Sequence, residues 1–291
     1  MPINSMLMDR GWGYAIDYIF AIERLYGGRY GFLQFVKAAH RSGIGVIVDV
    51  VFNHFGPDNS LDLWQFDGWN ENGTGGIYFY NDWRAETPWG NTRPDFGRRE
   101  VQQYILDSIR MWVHDCRVNG LRLDSTIYIR NAKGYNNDPS TDLPDGWYLM
   151  QKINELAHKI NPAVLTIAED VADNEYIVKS TRDGGAGFSA QWELGFPQGL
   201  REALKSSNPA EINFSQLCNE LGRRYNGDAF QRIIYTDSHD SAANGSARLS
   251  EVISPGKADS LFAQKQLIIA AGLVLTAPGI PMLFQGQEFM Q

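Results

Sequence analysis

Short apolar runs alternate with longer helix-like segments along the chain, and this alternation limits the possible folds more than any other feature. The run GVIVDVVF (residues 45–52) is rich in β-branched residues and has the length of a buried strand. The preceding stretch, YGFLQFVKAAHRSG (30–43), has helical character and ends at a glycine, a common helix terminator. Strands that alternate with helices form βαβ units, so the sequence predicts an α/β fold with a parallel sheet.

Six strands are predicted, and residues 1–4 (MPIN) are interpreted as the stub of a seventh. The predicted strands cover residues 45–52, 118–124, 163–170, 185–194, 230–236 and 279–285. The predicted helices cover residues 30–43, 99–118, 147–160, 197–205 and 260–277. The units are serial and no GxGxxG motif opens a helix, which favours a (β/α)8 TIM-type barrel over a doubly wound sheet. We expect one barrel domain over residues 1–291, incomplete because only six to seven strands are present.

Composition and charge exclude several classes of function. The net charge of −8 disfavours nucleic acid as a partner, because nucleic-acid binding relies on basic contacts to phosphate. No apolar run reaches the roughly 18 residues that a membrane span needs, and the N-terminus, MPINSMLMDRGWG, lacks the features of a secretory signal. Cys116 and Cys218 are too few for a disulfide framework. We therefore expect a cytoplasmic protein with no membrane partner, and the sequence leaves its oligomeric state open.

Aromatic residues are concentrated in a polar, glycine-rich stretch, DLWQFDGWNENGTGGIYFYNDWRAETPWG (62–90). One interpretation is a large loop that folds on its own aromatic side chains. The other is a surface on which flat apolar faces, such as those of sugar rings, stack. The two interpretations are compatible, and the sequence does not choose between them.

Polar side chains follow one predicted strand after another, always at its C-terminal end. In a (β/α) barrel these ends meet at one face, which carries the chemistry. The residues at these ends are Asp49, Asn53 and His54; Arg122 and Asp124; Glu169 and Asp170; Trp192 and Glu193; Asp237, His239 and Asp240; and Gln285, Gln287 and Glu288. A serial set of this kind predicts an active site.

The residue types at the strand ends indicate glycosyl transfer. Cys/His metal clusters, a GxSxG elbow and a P-loop are absent from the sequence, so we expect neither a metal nor a cofactor. Two carboxyl groups, one ionised and one protonated, are the arrangement that cleaves a glycosidic bond. Arg122 favours the ionised form of Asp124, whereas the apolar strand LTIA raises the pKa of Glu169. We predict Asp124 as the nucleophile and Glu169 as the acid/base.

Each candidate also has a structural interpretation. Arg122 and Asp124, taken alone, are equally compatible with a buried ion pair, and His54 alone would be read as a core histidine. Asn53 is compatible with a calcium site, although no dense run of oxygen ligands supports one. Asp237 is interpreted as a bracing residue, and Glu288 as an acid at a helix start. The other strand ends make the catalytic interpretation of Asp124 the stronger one.

Four motifs in order, DVVFNH, GLRLDS, TIAED and YTDSHD, resemble the α-amylase clan, glycoside hydrolase family 13, over almost the entire chain. The resemblance implies Asp124 as the nucleophile, Glu169 as the general acid/base and Asp240 as a third carboxylate that holds the distorted sugar. The other roles that it implies are orientation of Asp124 by Arg122, sugar binding by His54, His239 and Tyr14, and structural support by Asp49 and Asn53.

Within the clan, SHD (238–240), GGAGFSAQWELGF (184–196) and GIPMLFQGQEF (279–289) resemble 1,4-α-glucan branching enzymes. The implied substrate is an α-glucan: glycogen, starch or a maltooligosaccharide. Amylases, isoamylases and trehalohydrolases share much of this pattern, so hydrolysis remains the alternative. The rival class is an inactive truncated fragment or a non-catalytic glucan-binding protein.

The resemblance also predicts missing parts. A complete barrel of the clan has eight strands. The first strand and its helix, the final helix and the C-terminal β-domain do not appear in the sequence. Unpaired strand edges would follow, so we expect the isolated chain to be poorly stable and weakly active.

Overall fold

A computed structural model describes residues 1–7, 11–57, 61–71, 73–206, 208–243 and 245–290. Residues 8–10 lie outside the described residues. They belong to the N-terminal stretch MPINSMLMDRGWG, which was predicted not to be a secretory signal. The chain divides into two compact units, Met1–Ser189 and Ala190–Gln291.

The first unit contains a short antiparallel pair and three parallel strands with their helices. In chain order its elements are β1 (Asn4–Met6), β2 (Ile16–Ile22), α1 (Gly28–Arg41), β3 (Ile47–Val50), α2 (Arg99–Arg110), β4 (Gly120–Leu123), α3 (Ile127–Arg130), α4 (Pro144–Ile160) and β5 (Leu165–Ala168). β4 lies between β3 and β5 and is parallel to both. The register places Asp49 of β3 opposite Arg122 of β4.

The segment MPIN differs from its prediction as the stub of a seventh barrel strand. β1 begins at Asn4 and pairs with β2 in the antiparallel direction. The Asn4 side chain is buried and donates from Nδ2 to the backbone oxygen of Ile19 at 2.9 Å, which ties the segment to β2. β2, with its sequence IDYIFAI, has no counterpart among the predicted strands.

The helices of the first unit bury the face that their spacing predicts. In α2, Val101, Ile105 and Ile109 recur every four residues and point inward. The prediction of one helix over residues 99–118 is too long, because α2 ends at Arg110 and a π-helical turn, Met111–Asp115, follows. That turn buries Trp112 completely, and its ring lies edge-on to Phe32 of α1 at 5.6 Å.

The second unit contains three further parallel strands. Its elements are β6 (Ala190–Trp192), α5 (Gly195–Lys205), α6 (Phe214–Gly222), β7 (Arg232–Ile234), α7 (Leu249–Ile253), α8 (Leu261–Thr276) and β8 (Ile280–Pro281). β7 pairs in parallel with β6 and with β8. Phe196 and Leu200 of α5 and Ala270 and Val274 of α8 belong to one buried apolar cluster. The helices α3, α6 and α7 were not predicted.

The aromatic stretch at residues 62–90 contains both buried aromatic side chains that pack on one another and aromatic side chains exposed at the surface. Phe79 and Tyr80 are completely buried, and the ring of Phe79 contacts Trp64 at 5.8 Å. Trp83 and Trp89 are exposed instead. This stretch therefore has an aromatic core of its own and leaves other rings at the surface.

The described residues show six parallel strands that alternate with helices along the chain, which is the predicted α/β fold of an incomplete (β/α)8 TIM-type barrel. No helix within the described part of the chain combines the length and the apolar character that crossing a membrane requires.

Candidate active site

Two acids of the first unit follow neighbouring parallel strands at the same edge of the sheet. Asp124 directly follows β4, and Glu169 directly follows β5. The Glu169 N–H donates to the Leu123 oxygen at 3.0 Å, so strand pairing continues up to the acids. The carboxyl groups of Asp124 and Glu169 both bind the guanidinium of Arg122, and after burial the interaction with Glu169 is among the causes that raise the pKa of Asp124. The strand register alone therefore places the two predicted catalytic acids together.

Arg122 is the centre of the polar cluster. Its Nη1 donates to Asp49 Oδ1 at 2.7 Å and to Asp124 Oδ1 at 3.0 Å. Its Nη2 lies 2.5 Å from Glu169 Oε2. The guanidinium is buried, and three carboxyl groups around it raise the pKa of Arg122 well above its ordinary value, although burial acts in the opposite direction. Arg122 is therefore a permanent cation in contact with all three acids.

Tyr14 joins this cluster through its hydroxyl group. The hydroxyl donates to Asp49 Oδ2 at 2.8 Å and accepts from Arg122 Nη1 at 3.2 Å. Burial, followed by the charge of Asp49, raises the pKa of Tyr14, so the phenol remains protonated. Asp49 thus links Tyr14 to the guanidinium.

Asn53 and His54 reach the cluster from the segment after β3. Asn53 Nδ2 donates to Asp124 Oδ2 at 3.1 Å, and His54 Nδ1 lies 2.8 Å from Asn53 Oδ1. Burial lowers the pKa of His54 to about 3, which keeps the imidazole neutral. The ring stacks on Trp89 with 4.5 Å between centroids. Asn53 is therefore held by Asp124, and His54 is held between Asn53 and Trp89.

Ser125 is a site residue that sequence reasoning missed. Its φ of 43° lies in the left-handed region, which is unusual for a residue other than glycine. This conformation directs its N–H to Glu169 Oε2 at 2.9 Å. The sequence GLRLDS carries no signal for a positive φ at the serine, because the tertiary structure imposes it.

The protonation of Asp124 differs from the simple expectation. Burial raises its pKa well above the ordinary value, and the charge of Arg122, which lowers it, is outweighed when Glu169 and Asp49 are added. Two neighbouring carboxyl groups cannot both be ionised easily, so the Asp124–Glu169 pair holds its last proton more tightly than an isolated carboxyl group does. Arg122 lowers the pKa as predicted, but it does not by itself keep Asp124 ionised.

Two predicted site residues, His239 and Asp240, lie in the second unit and contact each other. His239 Nε2 lies 3.3 Å from Asp240 Oδ2. The His239 ring lies edge-on to Trp192 of β6 at 6.1 Å, and Trp192 in turn contacts Tyr235. The side chain of Asp240 is 49 % exposed, so it is open to a ligand.

Other acids at the strand ends have structural partners. Asp170 is completely buried and forms a two-bond pair with Arg130. Glu193 accepts from the N–H groups of Gly195 and Phe196 at the start of α5.

Asp237 is paired with Arg201 and accepts from the N–H of Leu249, which supports its interpretation as a bracing residue. Glu288 lies in the first turn of a 3-10 helix. Within the described part of the chain, no group of three or more His, Cys, Asp or Glu side chains is arranged to hold a metal ion.

Comparison with known proteins identifies the family. The model of the alpha-amylase catalytic domain matches residues 1–291. The chain belongs to the alpha-amylase family. This agrees with the resemblance that the four motifs carry.

Curated proteins of two kinds are similar to the chain. The 1,4-alpha-glucan branching enzyme GlgB of Geobacillus stearothermophilus is 31% identical over 298 residues, which cover 100% of this chain and 44% of that protein. GlgB of Oceanobacillus iheyensis is 28% identical over 302 residues, 100% of this chain and 45% of that protein. The malto-oligosyltrehalose trehalohydrolase of Saccharolobus solfataricus is 28% identical over 317 residues, 99% of this chain and 50% of that protein.

Solved alpha-amylases share the fold. The Anoxybacillus alpha-amylase superposes with a TM-score of 0.69 at 18% identity, covering 100% of this chain and 59% of that chain. The alpha-amylase of Geobacillus thermoleovorans in complex with acarbose gives the same TM-score at 19% identity, covering 100% of this chain and 60% of that chain.

The chain spans about half the length, or less, of the two GlgB enzymes and the trehalohydrolase that it matches.

Proposed function

We propose that this chain is the catalytic part of a retaining enzyme that acts on α-glucans and transfers an α-1,4-linked segment to form an α-1,6 branch. The observation that carries the proposal is the contact of Asp124 and Glu169 around the Arg122 guanidinium. A retaining glycosidase uses two carboxyl groups near the bond that breaks, one ionised and one protonated, and the common guanidinium partner supports Asp124 and Glu169 as that pair.

The proposed reaction assigns a separate task to each acid. In the proposed first step the proton of the acid pair resides on Glu169. The ionised carboxylate of Asp124 attacks the anomeric carbon and forms a glycosyl ester, while Glu169 donates that proton to the departing O4. In the second step Glu169 takes the proton from a glucan O6–H, and that oxygen displaces Asp124 from the anomeric carbon. The result is an α-1,6 bond with retained configuration.

The remaining predicted residues are proposed to bind the sugar at the cleavage point. Asp240 and His239, which contact each other and include a half-exposed carboxylate, are assigned to sugar hydroxyls. Neutral His54 is suited to hydrogen bonding without adding charge, and the Tyr14 ring is assigned to stacking. Asp49 and Asn53 support Arg122 and Asp124. We propose that these six residues, together with Arg122, Asp124 and Glu169, belong to one catalytic domain over residues 1–291.

Branching is favoured over hydrolysis by the relatives and by the SHD motif at residues 238–240. Hydrolysis of an α-glucan is the second candidate, because a trehalohydrolase and alpha-amylases match the same chain. Both reactions use the same intermediate and differ in whether a sugar hydroxyl or water attacks it. As a biosynthetic enzyme of glycogen, the protein would act in the cytoplasm.

Incubation with amylose tests the proposal, with iodine colour and reducing ends measured separately. Loss of colour without new reducing ends supports branching, whereas a parallel gain of reducing ends supports hydrolysis. Binding of amylose without either change would support a glucan-binding protein and contradict catalysis.

Asp124→Asn should abolish whichever activity appears. Asp82→Asn, at an exposed acid that pairs with Arg84, is the matched control and should leave activity intact. Activity that survives in Asp124→Asn would refute the assignment of the nucleophile.

A further inference from the structure

A second buried arginine lies next to the proposed acid/base. Arg130, on the short helix α3, donates from Nε to Asp170 Oδ2 at 2.9 Å and from Nη2 to Asp170 Oδ1 at 2.7 Å. Asp170 is completely buried and Arg130 is almost so. Asp170 is the residue after Glu169, so this two-bond pair acts directly on the backbone that carries the acid/base.

The segments after β4 and β5 are joined by further hydrogen bonds around this pair. Thr126 Oγ1 donates to Asp170 Oδ2 at 3.1 Å, and the Thr126 N–H donates to the Glu169 oxygen at 2.9 Å. The Ser125 N–H donates to the Glu169 carboxylate. The backbone and the side chain of Glu169 are therefore both held by residues 125–126, which lead into α3.

Helix α3 is itself fixed by a third arginine. Arg93 is completely buried, and its guanidinium donates to the backbone oxygens of Tyr128, Asn131 and Ala132 at 2.6, 3.3 and 2.7 Å. These oxygens lie at the C-terminal end of α3, where helix carbonyls lack partners within the helix. Arg93 therefore holds α3 in place, and α3 presents Arg130 to Asp170.

We propose that Arg130 is a positioning residue that fixes Glu169 for proton donation by holding Asp170. The inference rests on the proposed function of Glu169 as acid/base. A planar guanidinium bound through two parallel hydrogen bonds fixes direction as well as distance, which a lysine ammonium does not. A catalytic group must be held within about 0.5 Å of its working position, so a small rotation of the Glu169–Asp170 peptide would impair the proton transfer.

The proposal is tested by substrates that differ in their need for an acid. Cleavage of an oligoglucan requires protonation of the leaving oxygen. In α-maltosyl fluoride the leaving group is fluoride, which departs without being protonated. In Arg130→Lys and in Asp170→Asn, we expect the first turnover on the glucan to fall about tenfold or more, since general acid catalysis contributes roughly 10²–10⁴-fold. The first-turnover release of fluoride should stay within about twofold of the parent protein.

Arg84→Lys is the matched control, because Arg84 donates from Nε to Asp82 Oδ1 and from Nη2 to Asp82 Oδ2, a comparable two-bond pair at the surface. This variant should leave both rates unchanged. Equal losses on the glucan and the fluoride in Arg130→Lys and Asp170→Asn would mean a general structural role and would overturn the inference.

A measurement without turnover separates this inference from the proposed function. A parent protein that turns over neither substrate would refute the proposed function. The amide proton of Ser125, followed by NMR across pH, still reports the position of Glu169, because its shift responds to the ionisation of the bonded carboxyl. We expect Arg130→Lys to reduce that response by half or more, and an unchanged response would overturn the positioning role.

Discussion

Nη2 of Arg122 lies 2.5 Å from Oε2 of Glu169, so the side chain that binds Asp124 also binds the acid of the next strand. One buried cation therefore contacts both members of the carboxyl pair. Its charge allows two acids to lie close together, and burial and the neighbouring Glu169 raise the pKa of Asp124.

Removal of the guanidinium should damage both stability and activity. In Arg122→Met, the carboxyl groups of Asp49, Asp124 and Glu169 lose their counter-charge, and breaking a buried ion pair from one side costs about 3–5 kcal/mol. We expect a fall of that size in the free energy of unfolding in urea, together with loss of turnover. Arg122→Lys, which keeps the charge, should recover part of the stability and little activity. Equal stability of Arg122→Met and the parent protein would contradict this account.

The raised pKa of Asp124 has a consequence for stability. Between the ordinary pKa of an aspartate, about 4, and the raised value, the folded protein binds more protons than the unfolded chain, so the contribution of Asp124 to stability falls as pH rises. Asp124→Asn does not titrate. Urea unfolding at pH 5 and pH 8 should therefore show the variant gaining stability relative to the parent at the higher pH. A difference that does not change with pH would argue against the raised pKa.

His54 should produce the opposite dependence at lower pH. Its folded-state pKa is lowered to about 3 by burial, whereas a histidine in the unfolded chain titrates near 6.5. Below about pH 6.5 the unfolded chain binds the extra proton, so stability is lost as pH falls toward 3, by up to about 1.4 kcal/mol per pH unit. His54→Gln lacks this dependence. Unfolding curves at pH 7, 6 and 5 that run parallel for the two proteins would contradict a buried neutral imidazole.

Trp89 should affect the proposed sugar site through its contact with His54. The indole stacks on the imidazole at 4.5 Å and contacts Tyr128 edge-on at 5.3 Å. Trp89→Ala should expose the ring of His54, and NMR titration should show its pKa moving up toward the ordinary value. We also expect the KM for amylose to rise several-fold. Trp83→Ala, at another exposed tryptophan of the same stretch, is the control and should change neither quantity.

Much of the fold could be predicted from the sequence, because parallel strands are buried on both faces and read as short apolar runs. All six predicted parallel strands are present, and α4 (Pro144–Ile160) contains the predicted segment 147–160. The short elements were missed because they lack a full period of apolar residues. Helix α3, for example, has only four residues and is held by Arg93. MPIN was interpreted as the stub of a barrel strand, whereas Asn4 begins a strand that pairs with β2 in the antiparallel direction, since the pairing of so short a strand is decided by its neighbours.

The sequence by itself determined the residue types at the strand ends and their order, and therefore the family. The tertiary structure alone decided which of those acids are committed to structural partners. Asp170 is held by Arg130 and Asp237 by Arg201, whereas Asp124 and Glu169 share Arg122. The physical reason is that a strand pattern specifies where side chains point along one element. Contacts between residues of different elements, such as Ser125 with Glu169, depend on packing that the pattern does not encode.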